Sequence, residues 1–157
     1  REYGAKLAAA KAAEGAADHP AAWVIAADTI VLIGDRILNK PTGESDARRM
    51  LTRLSGSRHE VLTGVELRHR QRGFRHALVV TTEVVFKTLA PAEIDWYIGS
   101  GEPFDKAGAY AIQGMGTFLV KAIQGSYTNV VGLPVCEVIE QLIAAGAVRL
   151  GPASEEE

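Results

Sequence analysis

Three short stretches carry side chains whose types and neighbours suit chemistry. In the first, Asp28-Thr29 closes the apolar run Trp23-Val24-Ile25-Ala26-Ala27. A carboxylate at the end of a buried strand can bind a metal ion or take a proton from water. The plainer reading is a turn or capping aspartate. In the second, Asn39-Lys40-Pro41, the proline fixes the backbone beside a lysine. An ammonium on such a rigid loop can meet a phosphate, although an ordinary surface lysine would look the same. The third runs from Phe104 to Gly116. Its glycines let backbone amides approach an anion or a base. Asp105 and Lys106 add both signs of charge, and Gln113 offers one donor and one acceptor to a nucleobase edge. The loop has neither the Gly-Lys-Ser/Thr of a P-loop nor the spacing of a dinucleotide fingerprint, so both explanations fail.

Other reactive residues point less clearly to a site. His19, His59, His69 and His76 show no close zinc-ligand spacing and read as structural or solvated. Cys136 lies among Val135, Val138 and Ile139 and reads as a buried structural thiol, with no histidine nearby in sequence to activate it. One cysteine excludes an intramolecular disulfide framework and a cysteine-cluster zinc site. Ser126-Tyr127-Thr128-Asn129 is a hydroxyl cluster without a partnered base, and reads as a loop.

The elements that must position these residues alternate between helix and strand. An Ala-rich helix over about 3–15 precedes the break at Asp18-His19-Pro20. Two short apolar runs, 23–27 and 30–33, read as strands, and Gly34-Asp35 turns into Arg36-Ile37-Leu38. Ala47, Met50, Leu51 and Leu54 make one apolar stripe on a helix over 44–55. Val- and Thr-rich strands over 59–68 and 76–88 form a hairpin around Gln71-Arg72-Gly73. A short helix opens at Pro91, a strand spans 117–123, and an amphipathic helix follows Pro134. Gly151 to Glu157 reads as a solvated tail. The class is therefore α/β with a mixed sheet, in a single domain over residues 1–157.

Composition narrows the function classes. With 47% of its 157 residues hydrophobic and 23% charged, the chain can bury a core, unlike a disordered polymer. Seventeen Lys and Arg against nineteen Asp and Glu are too balanced for a broad basic face, so no nucleic-acid polymer is expected as partner. A single nucleotide needs only a few local cations. No apolar run approaches ~18–20 residues and no signal pattern occurs, so no membrane partner is expected and a cytoplasmic location fits.

Taken together, the motifs resemble the Maf family. Val24 to Val31 matches its strand motif around Ala-Asp-Thr, and Leu38-Asn39-Lys40-Pro41 matches its lysine-proline loop. Arg49 to Gly64 matches a helix and strand, Gly101 to Gly114 its most diagnostic loop, and Asn129 to Pro134 the start of its last helix. The resemblance implies an elongated sheet flanked by helices and a pyrophosphatase that cleaves nucleoside triphosphates between the α and β phosphates with a divalent metal, Mg2+ or Mn2+. It implies Asp28 as proton acceptor, Lys11, Lys40 and Lys106 on the triphosphate, and Asp28 or Asp105 on the metal. Thr29 and Gln113 match the branch acting on dTTP and UTP, with modified pyrimidine nucleotides as possible further substrates. A homodimer is implied as well. The family's name also suggests an alternative, a nucleotide-binding regulator of septum formation with little catalysis. The family's opening strand and Ser-Pro-Arg-Arg phosphate loop do not occur in this sequence, which starts downstream of them; an omitted N-terminal segment is expected, the alternative being a truncated, inactive homologue.

Overall fold

The molecule is described by a computed structural model covering residues 2–151, with side chains from residue 5 onward; Arg1 and the expected tail beyond Gly151 lie outside the described residues. Helix α1 (Glu2–Asp18) leads into strand β1 (Val24–Ile33), and Gly34, at φ 56°, turns the chain into β2 (Arg36–Leu38). After α2 (Glu44–Leu54), the long strands β3 (Arg58–His69) and β4 (Phe74–Phe86) form the expected hairpin. Helix α3 (Pro91–Gly99), a run of 3-10 turns, β5 (Val120–Gln124), the short α4 (Tyr127–Val131) and α5 (Val135–Ala144) complete the chain.

The strands form one sheet in the order β2-β1-β3-β4-β5. The α/β class and flanking helices are as expected, but every pairing among the described residues is antiparallel, so the sheet is not mixed. The reason lies in the crossover through α2. It joins β2 to β3, which run the same way, but β1 sits between them, so no parallel pair becomes adjacent.

A second difference bears on the site. The two apolar runs around Asp28-Thr29 are one strand, because β3 is long enough to pair with both, placing Asp28 opposite Gly64 and Thr29 opposite Thr63. Asp28 therefore stands within a strand and not at its end. Strand β2 pairs only with Val31, Leu32 and Ile33. On that side, and among the described residues, β1 before Val31 has an unpaired edge.

Helices cover both faces of the sheet. On α1, Ala8, Ala12 and Ala16 recur every four residues and are buried against β1 and β3. Their small side chains allow close approach. On the opposite face, Leu51 and Leu54 of α2 and Ile94, Tyr97 and Ile98 of α3 pack on Val31, Val61, Val84 and Phe86. Burial of each such Leu or Phe contributes about 1.5–3 kcal/mol. A second cluster joins Val65 and Leu67 to Val138 and Leu142 of α5. Cys136 corrects the sequence expectation, being exposed. Residues 138 and 142 take the inner side of α5, and helical rotation carries position 136 outward. No described helix is long and apolar enough to cross a membrane.

Candidate active site

Beside the open edge of β1 lies a hollow of about 280 Å3, and three separate parts of the chain reach it. Strand β1 supplies Asp28 and Thr29, the loop after β2 supplies Lys40, and the glycine-rich segment supplies Asp105, Lys106 and Gln113. Successive residues of a strand point to opposite faces. Asp28 and Thr29 can both border the hollow because it lies beside the strand instead of over one face. Lys11 does not line it, but its Nζ lies 2.6 Å from Asp28 Oδ1, reaching across from α1. Asp28, Thr29, Lys40, Asp105, Lys106 and Gln113 are thus at the hollow, and Lys11 is bonded to a residue that is.

Local structure explains how the loops converge. Pro41 is buried, which anchors the lysine loop. The Gly108 amide donates to the Asn39 carbonyl at 3.1 Å, joining that loop to the Asp105-Lys106 segment. Gly108 has φ 71°, and a Cβ there would come within 3.0 Å of Val31 Cγ1, so both backbone and space demand glycine. Two residues further on, Tyr110 lines the hollow and shares a 2.8 Å hydrogen bond with His59 Nε2. Burial pushes the His59 pKa down to about 4, so the ring is neutral at pH 7, and burial raises the Tyr110 hydroxyl. Both stay uncharged beneath the site.

Gln113 is held by a clamp that the sequence did not disclose. Glu102 accepts the Met115 amide through Oε2 at 2.9 Å, and the Gly116 amide at 2.9 Å and the Tyr97 hydroxyl at 2.8 Å through Oε1. The Tyr97 oxygen in turn accepts the Ala111 amide at 3.2 Å. The backbone is therefore fixed on both sides of Gln113. Burial works against the Glu102 charge, but the Met115 amide, the Tyr97 hydroxyl and the Gly116 amide together hold its carboxyl below the usual range.

The cluster Ser126-Tyr127-Thr128-Asn129 is not a plain loop. Ser126 caps α4, accepting the Asn129 amide at 3.1 Å. Asn129 is fully buried and donates from Nδ2 to the Val61 carbonyl at 3.1 Å and to Thr82 Oγ1 at 3.0 Å. Thr63 donates to the Asn129 carbonyl at 3.1 Å and shares a 2.8 Å bond with Thr29. This buried network ties Thr29 to Val130, Val131 and Gly132, which form another wall of the hollow. Its hydroxyls serve structure and carry no nucleophile.

Charge in the hollow is only partly paired. Lys106 lies 2.6 Å from Asp105, and its bond with Lys106, together with the nearby Lys40 charge, holds the Asp105 carboxyl below its ordinary range. Among the described residues Lys40 has no ion pair. Such a site can take an anion on its lysines and a cation on its carboxylates. Among the described residues no group of three or more His, Cys, Asp or Glu converges as a closed metal cage.

Comparison with known proteins adds to this geometry. The family model described as "Maf-like protein" matches residues 1–145. The dTTP/UTP pyrophosphatase of Myxococcus xanthus (strain DK1622) is 52% identical over 144 residues, 92% of this chain and 72% of the relative. That of Geobacter sulfurreducens is 49% identical over 147 residues, 94% of this chain and 77% of the relative. In Halalkalibacterium halodurans the protein of that name is 50% identical over 141 residues, 90% of this chain and 73% of the relative. A match over nearly all of the chain, with the family's motif residues gathered at one hollow, shows that this protein belongs to the Maf family.

Proposed function

We propose that the protein is a hydrolase that cleaves dTTP and UTP to the nucleoside monophosphate and pyrophosphate. The observation that carries the reading is the meeting of Asp28, Lys40, Asp105, Lys106 and Gln113 at one hollow. Relatives about half identical in sequence carry the name of that activity. In the reaction a water oxygen bonds to the α-phosphorus, the bond from that phosphorus to the oxygen bridging to the β-phosphorus breaks, and pyrophosphate leaves. Asp28 accepts the water's proton. Lys40 and Lys106, with Lys11 behind Asp28, offset charge on the phosphate oxygens, and each charge-assisted contact contributes about 1.5–3 kcal/mol. Gln113 reads the base edge, while Thr29, whose hydroxyl is engaged by Thr63, shapes the wall next to it.

The donor set suits a divalent cation. Two carboxylates, Asp28 and Asp105, border the hollow, and a hard ion such as Mg2+ is held by one or two carboxylates with its other ligands drawn from water and phosphate. Those two residues would hold Mg2+ or Mn2+, which when bound supplies further neutralisation of phosphate charge. A cytoplasmic homodimer belongs to the same proposal. Support for the dimer comes from Val135, Ile139 and Ile143, an apolar row left open along α5.

Release of pyrophosphate from dTTP, UTP, ATP and GTP, each with Mg2+ and with Mn2+, tests the reading. The expected result is turnover of the pyrimidine substrates well above that of the purines. No release above a blank with either metal would refute it.

A further inference from the structure

Gln113 stands where a turn begins, yet the turn makes no use of its side chain. It is the residue ahead of the 3-10 helix Gly114–Leu119, in extended backbone at φ −90° and ψ 169°. The residue at such a position often caps the helix with its own side chain. Gln113 does not, and among the described residues its exposed side chain has no hydrogen-bond partner. Glu102 does the capping from a distance. Its carboxylate accepts the Met115 amide on one oxygen and the Gly116 amide on the other, 13 and 14 residues along the chain. Gln113 therefore keeps a whole amide, acceptor and donors alike, for a ligand in the hollow.

The backbone around Gln113 is held as well. Tyr97 is fully buried; its hydroxyl donates to Glu102, and its oxygen accepts the Ala111 amide. The Thr117 hydroxyl lies 2.9 Å from the Ile112 carbonyl and 2.8 Å from that of Gly114. Two glycines serve the same arrangement. Gly114 has φ 68°, and a Cβ there would lie 2.6 Å from Glu102 Oε2. A Cβ on Gly116 would lie 2.2 Å from the Ala111 carbonyl oxygen and 2.7 Å from the Tyr97 hydroxyl. Amides of this stretch do approach an anion, as its sequence suggests, but that anion is the chain's own carboxylate.

We propose that Glu102 and Tyr97 are positioning residues that set the choice of base. The proposal rests on the reading of Gln113 as the group that meets the base edge of a pyrimidine nucleotide. Neither Glu102 nor Tyr97 lines the hollow, so both act through Gln113. Pyrimidine and purine edges present their groups at different distances from the ribose. A Gln113 free to swing would serve both, whereas a displacement of about 1 Å from a fixed place costs a site much of its effect. An acid suits the clamp because its two oxygens take all three bonds, and a glutamine has only one acceptor oxygen.

A double-mutant cycle separates this role from plain support of the fold. The variants are Glu102→Ala, Glu102→Gln, Tyr97→Phe and Gln113→Ala, and Glu102→Ala joined to Gln113→Ala, each checked by melting temperature. The readout is kcat/KM for UTP divided by that for ATP. Effects common to both triphosphates cancel in that ratio, including the altered charge near Lys106. Glu102→Ala is expected to lower the ratio about tenfold, through KM for UTP, as Gln113→Ala does. Glu102→Gln, which keeps one acceptor oxygen, should restore part of the loss, and Tyr97→Phe should show a smaller one. In the joined variant the losses should not add, because a residue that acts through Gln113 then has nothing to position. Losses that add, or a Glu102→Ala ratio within about twofold of the unaltered protein, overturn the proposal. Should Glu102→Ala fail to fold, Glu102→Gln and Tyr97→Phe carry the same cycle. If no triphosphate is cleaved, the cycle is read from calorimetric affinities for UMP and AMP. A non-additive loss of preference there sustains the positioning role while the enzymatic reading fails, and no preference to lose overturns both.

Discussion

Glu66, in the middle of the sheet, is 1% exposed and bound by both Arg68 and Arg75, whereas Asp105, at the hollow, is 73% exposed and in contact with one lysine. Both carboxyls sit below their ordinary range, but the largest influence on each differs. Burial raises Glu66, and hydrogen bonds from Arg75 and Arg68 outweigh it. For Asp105 the Lys106 contact comes first and burial is a smaller, opposing effect. One carboxylate has its bonding capacity filled by arginines on its own and the neighbouring strand. The other keeps lone pairs for a ligand. Residue type therefore does not separate a structural charge from a working one; the remaining bonding capacity does.

Substitutions can break this distinction or sharpen it. The largest effect expected is from Asp28→Asn, which should lower kcat by about 10²–10⁴-fold with the melting temperature nearly unchanged. Turnover kept within a factor of two would remove Asp28 from catalysis. Next, Glu66→Ala removes the partner of a partly buried Arg68 and a largely exposed Arg75 and should cost about 1.5–3 kcal/mol of stability by urea unfolding, with kcat for UTP preserved in the folded protein. The reverse pattern, stable but inactive, would contradict the division.

A pH series sharpens it further. His59 has a folded pKa of about 4 against an unfolded value of 6.5, so between these the unfolded state binds more protons. Stability is complete above about pH 6.5 and falls as pH drops toward 4, by an amount on the order of 3 kcal/mol. His59→Phe should flatten that part of the unfolding curve. An unchanged slope would mean that another group titrates there. At the hollow, Lys106→Ala should lower kcat/KM by about 10–100-fold, mostly through KM. The smallest effect belongs to Gln113→Ala, which should reduce the preference for UTP over ATP by about tenfold and barely touch stability.

Much of the site was legible because its residues announce themselves locally. Lys40 sits against Pro41, and Asp105, Lys106 and Gln113 share one glycine-rich stretch. What was not legible depends on distant partners. Glu102 acts through amides 13 and 14 residues away, and Asn129 through Val61 and Thr82, 68 and 47 residues away. No local pattern carries such pairings. The fold shows the same division. The stripe on α2 and the β3–β4 hairpin follow from periodicity, but the continuity of β1 through Asp28 depends on the length of its partner β3. Cys136 was misplaced because neighbouring valines suggest burial while helical rotation decides it.

The central claim is that side chains from β1, the Lys40 loop and the glycine-rich segment form one polyphosphate site. A crystal structure with the non-hydrolysable analogue α,β-methylene-UTP tests it directly. The account predicts the base against Gln113, the α-phosphate between Lys40 and Lys106, and Asp28 facing the α-phosphorus across a water. A nucleotide bound elsewhere, or one touching only one of these three parts of the chain, would contradict it.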